Sequence, residues 1–149
     1  MRVTLDSNIL VYSADHQAGE RQLAAIELLQ RVSKSDCVLT LQSLAEFFNV
    51  TARKLKLPFD RVEVHINDWR SVYPVFPANE SCFGNAIDIV RRHRIAFWDA
   101  MLWATAREAG CRFLLSEDLH DGQTIGGVRV VNPFARKNAV LMDALLPPA

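Results

Sequence analysis

The sequence predicts an α/β fold: one domain with a mostly parallel sheet and helices on both faces. Short apolar runs alternate with longer stretches of helical period along all 149 residues, the pattern that βα units produce. The runs are apolar at nearly every position, as strands covered on both faces are. The length suits a single domain spanning 1–149, given ~100–200 residues per domain. A chain of this size buries roughly two-thirds of its unfolded surface and needs no metal or disulfide staple.

Val3 to Leu5 reads as the first strand, with a short helix starting near Ser7. From about Gly19 to Val32, Leu23, Ile26, Leu29 and Val32 recur three apart among Arg, Glu and Gln, which predicts an amphipathic helix. Cys37 to Thr40 is a second strand. A helix from about Ser43 to Leu55 should stop before Pro58. Asp60 is placed to cap the next helix, which carries Val62, Ile66 and Trp69. Val72 to Phe76 is β-like, but Pro74 demotes it to an edge or irregular strand. Asn79 caps a further helix through Ile87 and Val90. Residues 98–109 are apolar on nearly every side and closed by Gly110, which reads as a buried helix. Phe113–Leu115 and Val128–Val131 are the last strands, joined by the Gly-rich stretch Asp121 to Gly127.

Seventeen basic residues balance seventeen acidic ones, which excludes a strongly basic nucleic-acid coat and an acidic disordered tail. Three scattered cysteines, Cys37, Cys82 and Cys111, make neither a disulfide framework nor a zinc site. Free thiols at this density fit a reducing compartment. No apolar run approaches the ~20 residues of a membrane span. The opening Met1-Arg2-Val3-Thr4-Leu5-Asp6 puts an acid where a signal peptide would need its apolar stretch. A cytoplasmic protein with no membrane partner is expected.

In an open parallel sheet, ligands bind beyond the carboxyl ends of the strands. The polar residues that follow each strand are therefore the candidates. Asp6 follows the first, with Ser7 and Asn8. Glu46 comes after the second, on the opening turn of its helix. Ser116-Glu117-Asp118 follows Phe113–Leu115, with Asp121 three further on, and Asp99 opens the helix that feeds that strand. Four carboxylates from distant parts of the chain are thus expected at one rim. Converging acids repel, and a hard divalent cation such as Mg²⁺ or Mn²⁺ relieves the repulsion through oxygen ligands. Such an ion stabilises charge on a phosphoryl oxygen and lowers the pKa of a bound water, which favours phosphodiester hydrolysis. The histidines, His16, His65, His93 and His120, fall in unrelated segments and supply no competing ligand set.

Each acid also has a structural reading. Asp6 could cap the helix after it, although Ser7 or Asn8 would serve. Ser43-Leu44-Ala45-Glu46 spells a capping box. Asp99 could cap its helix or favour its dipole. Asp118 could start a helix. The set, more than any member, argues for a site.

Leu5-Asp6-Ser7-Asn8-Ile9-Leu10-Val11-Tyr12, Ser43-Leu44-Ala45-Glu46-Phe47, Phe97-Trp98-Asp99-Ala100 and Leu114-Leu115-Ser116-Glu117-Asp118-Leu119 occur in that order. Together they resemble the PIN-domain nucleases, and within them the VapC-type toxins of toxin–antitoxin pairs. Asn132-Pro133-Phe134 is similar to one branch of those toxins. The resemblance implies a three-layer α/β/α sandwich that cuts RNA with Mg²⁺ or Mn²⁺, a homodimer, and inhibition by a small cognate antitoxin. It implies Asp6, Glu46 and Asp99 as core acids and Asp118 as a more variable fourth, with Asn8 and Ser116 orienting the carboxylates. Asp118 and Asp121 are both available for the fourth place. In the mechanism this suggests, Asp6 and Asp99 hold the cation, with Asp118 joining through water, and Glu46 either ligates a second cation or orients the attacking water.

Substrate must approach an acidic rim, so nearby bases should track its backbone. Arg91, Arg92 and Arg94 precede Asp99; Arg53, Lys54 and Lys56 end the helix begun near Glu46. Clusters of this kind are more often solvated surface. Trp69, Trp98 and Trp103 could stack bases, though core or dimer packing is the commoner use. Two rivals remain. A haloacid-dehalogenase-like phosphatase would need a second Asp where Asn8 stands, and an amide cannot give and recover a proton. A non-catalytic RNA- or protein-binding module would use its acids only as caps.

Overall fold

The computed structural model describes residues 1–149. Strand β1 (Val3–Leu5) is buried throughout and occupies the middle of the sheet. On one side it pairs in parallel with β4 (Phe113–Leu115), Val3 opposite Phe113. On the other, a parallel bridge from Val3 to Cys37 leads into β2 (Leu39–Thr40), which pairs in parallel with β3 (Val75–Phe76). Beyond β4 lie β6 (Val128–Val131), parallel to it, and β5 (Thr124–Ile125), antiparallel to β6. Joined through the bridge, the strand order is β3-β2-β1-β4-β6-β5.

Seven helices cover this sheet: α1 (Ser7–Ala14), α2 (Glu20–Val32), α3 (Leu41–Arg53), α4 (Phe59–Val72), α5 (Glu80–His93), α6 (Phe97–Glu108) and α7 (Ala139–Leu145). Two apolar cores result, one per face. Leu115 and Val131 join Val3, Leu5, Phe47, Trp69 and Met142 in one. Their chain neighbours Leu114 and Val130 join Trp103, Ile89 and Cys82 in the other. Adjacent strand residues point to opposite faces, so this division is the three-layer α/β/α sandwich that the sequence predicts. No helix is long and apolar enough to cross a membrane.

Several boundaries differ from expectation for identifiable reasons. The strand expected from Cys37 begins at Leu39, because the Cys37 N–H turns back to Ser35 O (3.1 Å). Helix α3 starts at Leu41, because buried Thr40 is its cap: Thr40 Oγ1 accepts from the Ser43 N–H (3.1 Å). Ser43 therefore sits inside the helix, donating to Leu5 O (2.9 Å), and the capping box ending in Glu46 does not form. Asp60 lies in the first turn of α4 and does not cap it; Pro58 takes that position. Strand β5 arises from Gly126 and Gly127, both at positive φ, as a two-residue hairpin loop with left-handed central residues requires. Residues 98–109 form the buried helix α6, one residue earlier than predicted at each end; Trp103 donates its indole N–H to Val128 O (3.0 Å).

Thr40 caps α3 from the end of β2. Thr40→Ala should cost about 1–2 kcal/mol, the usual loss for a threonine cap. Urea denaturation measures the change, and an unaltered midpoint would show that the cap contributes nothing.

Candidate active site

The strand order reverses between β1 and β4. From β1 the chain builds outward through β2 and β3, then returns to lay β4 against the other side of β1. Such a switch point opens a crevice beyond the carboxyl ends of the two strands. Asp6 directly follows β1 and Ser116 directly follows β4. The Asp6 N–H donates to Leu115 O (2.9 Å) and the Ser116 N–H to Val131 O (3.1 Å), so the sheet ladder itself sets both residues at the rim.

Both oxygens of Asp6 are engaged. Oδ1 accepts from the Ser7 N–H (2.7 Å), which makes Asp6 the cap of α1, one of the two roles the sequence leaves open to it. Oδ2 accepts from the Ser116 hydroxyl (2.7 Å) and, more weakly, from Asn8 Nδ2 (3.4 Å). Asn8 Nδ2 also donates to Ser116 Oγ (3.3 Å). Asn8 and Ser116 thus orient the carboxylate. Capping and site geometry coexist because the two oxygens point to different partners.

Glu46 lies one turn into α3. Its Oε2 accepts from the Ser7 hydroxyl (2.8 Å) and its Oε1 from Gln42 Nε2 (2.8 Å). Gln42 Nε2 also donates to Trp98 O (2.9 Å), tying α3 to the first turn of α6. Asp99 stands in that turn, half-buried, and Ala96 takes the cap position. Asp118 is exposed on the loop after β4, where no helix starts. Its N–H donates to Ser116 Oγ (3.2 Å).

Burial pushes the Asp6 carboxyl up to about 6, against the Ser116 and Ser7 hydrogen bonds that favour its ionised form; the charges of Glu46 and Asp118 push it further. Burial also raises Asp99, again with Glu46 and Asp118 adding to the shift. Asp6 and Asp99 therefore sit in the field of the same two acids. None of the chain's salt bridges reaches any of the four. Asp121 is different. Burial works to raise it, but the Lys137 ammonium (2.9 Å), the Asn132 N–H and the Asn138 amide hold its carboxyl below the usual range. The charge of Asp118 acts on Asp6 and Asp99, whereas Asp121 is held by the C-terminal segment.

The PIN-domain family model matches residues 3–120. The chain belongs to the PIN-domain family. No curated protein matches it, but solved structures share its fold. VapC20 of Mycobacterium tuberculosis, described as a toxin that cleaves the sarcin-ricin loop, superposes with a TM-score of 0.63 at 19% identity, over 78% of this chain and 91% of that one. A chain of a toxin–antitoxin complex from Klebsiella pneumoniae gives 0.63 at 21% identity, over 89% and 98%. A chain of VapBC-1 from nontypeable Haemophilus influenzae gives 0.64 at 15% identity, over 91% and 100%.

The donor set of this PIN domain fits a hard divalent cation: carboxylate oxygens only, mutually repelling, with no basic partner. Asn8 Oδ1 and Gln42 Oε1 are buried beside them without hydrogen-bond partners, two acceptors suited to the waters of a hydrated ion. No three acids stand close enough to share one ion, so direct ligation would involve one or two carboxylates, with water completing the shell. Mg²⁺ tolerates that arrangement.

The basic candidates lie around the site, not in it. Arg53 and Lys54 end a helix ~20 Å long at 1.5 Å per residue, carried away from the rim where it starts; Lys56 follows them. Arg91, Arg92 and Arg94 are exposed at the end of α5, and Arg92 pairs with Asp88 one turn back (3.1 Å). Trp69 and Trp103 are core residues, whereas Trp98 is 63% exposed and lines a cleft of about 520 Å³ with Glu46, Gln42, Leu41 and Pro77. Sequence reasoning passed over Ser7 and Gln42 as the holders of Glu46. Gln42 was findable, because residues four apart on a helix face each other.

Proposed function

We propose that this PIN domain is a Mg²⁺- or Mn²⁺-dependent endoribonuclease, the toxin of a toxin–antitoxin pair. In this reading it acts in the cytoplasm as a homodimer restrained by a small cognate antitoxin. One observation carries the reading: four carboxylates from separate segments share one field at the β1/β4 switch point, with no basic side chain to neutralise them. The toxin and toxin–antitoxin structures that share the fold support it.

Asp6 and Asp99 would hold the cation, Asp118 through water, and Glu46 would orient the attacking water or hold a second ion. A bound cation supplies charge stabilisation at a non-bridging phosphate oxygen and a water acidic enough to attack. Ser116 and Asn8 fix the Asp6 carboxylate in place. Ser7 and Gln42 grip both oxygens of Glu46, leaving their remaining lone pairs to accept from water. A nearby positive charge favours ionised carboxyls, so cation binding should release the proton that Asp6 retains near pH 6. No serine, cysteine or histidine nucleophile is required.

The test is incubation of purified protein with mixed cellular RNA, with and without Mg²⁺, followed by mapping of the cut ends. Cleavage is expected with the ion, none after chelation, and recovery on adding Mn²⁺. Chelator-resistant turnover would remove the cation from the mechanism. RNA binding without cleavage would identify a binding module, and a covalent phosphate trapped on Asp6 would revive the phosphatase.

A further inference from the structure

Glu117 stands between Ser116 and Asp118, yet its carboxylate is fully occupied elsewhere. Oε1 accepts from the Tyr12 hydroxyl (2.8 Å) on α1. Oε2 pairs with Arg21 Nη2 (2.9 Å) on α2, and the Glu117 side chain is only 22% exposed. The Arg21 guanidinium lies 4.4 Å from the centroid of the Phe134 ring, a distance at which cation and ring face attract. The Phe134 ring meets Tyr12 edge-on at 6.1 Å. Phe134 is placed in turn by its own segment. Its N–H donates to Asn132 Oδ1 (3.0 Å), the Asn132 N–H donates to Asp121 Oδ1 (2.9 Å), and Asn138 Nδ2 donates to both Asp121 oxygens.

We propose that Tyr12, Arg21 and Phe134 form a strut on Glu117 that positions the loop of Ser116, Asp118 and Leu119, so that a C-terminal segment outside the family match sets the geometry of the acid site. Glu117 is a positioning residue and not a cation ligand, since the Arg21 guanidinium already neutralises its carboxylate. The covalent neighbours on each side carry the consequence. Ser116 Oγ donates to Asp6 and accepts from the Asp118 and Leu119 N–H groups, while the Asp118 side chain is exposed and depends on its backbone for placement. The charge of Asp118 acts on Tyr12 of the strut as well as on Asp6 and Asp99. Asp121, the other candidate for the fourth acid, acquires a role as the anchor of the turn that seats Phe134.

The cation-binding part of this inference rests on the function proposed above; the strut does not. Tyr12→Phe removes one hydroxyl and keeps the ring. It should speed exchange of the Asp118 and Leu119 amides, read by NMR, by roughly three- to tenfold, the factor that one lost hydrogen bond represents. Mn²⁺ binding, read by calorimetry, should weaken by a similar factor. Phe134→Leu, which keeps apolar bulk but loses the flat face under Arg21, should act in the same direction. In an Asp118→Asn background, adding Tyr12→Phe should weaken Mn²⁺ binding less than it does in the wild type, the remaining loss passing through Ser116 and Asp6. Unchanged exchange in both variants would overturn the strut, and an equal further loss in the Asp118→Asn background would overturn the part of the proposal that runs through Asp118. Wild-type protein that binds no Mn²⁺, while Tyr12→Phe still frees the two amides, would sink the metal reading and leave the strut supported.

Discussion

Asp99→Asn is expected to leave the fold standing and to lower metal-dependent RNA cleavage by about two to three orders of magnitude. The charge that a cation places on a reacting phosphate is worth several kcal/mol, and each ~1.4 kcal/mol is a factor of ten in rate. The fold should tolerate the change because Asp99 holds nothing else together. Ala96, not Asp99, occupies the cap of α6, and only burial and two neighbouring acids act on its carboxyl. An amide of the same size relieves that repulsion and gives up a favourable interaction with the helix dipole, two small effects of opposite sign. Circular dichroism and a gel assay on the same preparation decide the matter. Cleavage within tenfold of wild type would take Asp99 out of the chemistry.

Asp6→Asn should raise stability at neutral pH while abolishing cleavage. The folded-state carboxyl titrates near 6, above its ordinary 3.8. Below the lower value, folded and unfolded chains both carry the proton and Asp6 costs nothing. As pH rises through the window between the two values, the unfolded chain releases its proton first and folding loses ground. Above about 6 the whole cost is present, on the order of 2–3 kcal/mol for a shift of this size. Asp99, also raised, adds to the same slope. Asp121 works oppositely, its contribution disappearing only as pH falls below the ordinary carboxylate range.

An asparagine at position 6 can keep two of its three partners. Its oxygen accepts from the Ser7 N–H, and its amide can donate to Asn8 Oδ1, which now lacks a partner, once Asn8 flips. Metal-free wild type should therefore melt higher at pH 5 than at pH 7, and Asp6→Asn should flatten that slope and melt higher at pH 7. Mn²⁺ should raise the wild-type melting temperature, as any ligand of the folded state does, and leave the variant unmoved. A variant less stable than wild type at pH 7, with the same slope, would refute the electrostatic account.

The rim acids differ in how far their surroundings could be read from the chain. Asp6 was legible because it ends a short apolar run, and a carboxylate at the end of a buried strand needs a reason to be there. Glu46 carried an ambiguous local signal, since Ser43 to Glu46 matches a capping box. The ambiguity was resolved by Thr40, whose place in buried β2 lets it take the cap and pushes Ser43 inside the helix. That Asp121 is held away from the other acids depended on Lys137, Asn132 and Asn138, which reach it only when the chain turns back after β6. Strand β5 could have been found, because Gly126-Gly127 between Ile125 and Val128 is a hairpin signal.

Local chemistry therefore settled the layered architecture and picked out the acids proposed for the site. Short continuous apolar runs and stretches of period 3.6, punctuated by Asn79, Gly110 and Pro58, bias each segment before any distant partner arrives, and carboxylates follow the ends of strands. Long-range packing alone decided which oxygens are engaged and which acid belongs to which cluster. Hydrogen bonds such as Ser116 to Asp6 and Tyr12 to Glu117 join residues more than a hundred positions apart. No periodicity or spacing encodes them; they exist only once β1 and β4 lie side by side.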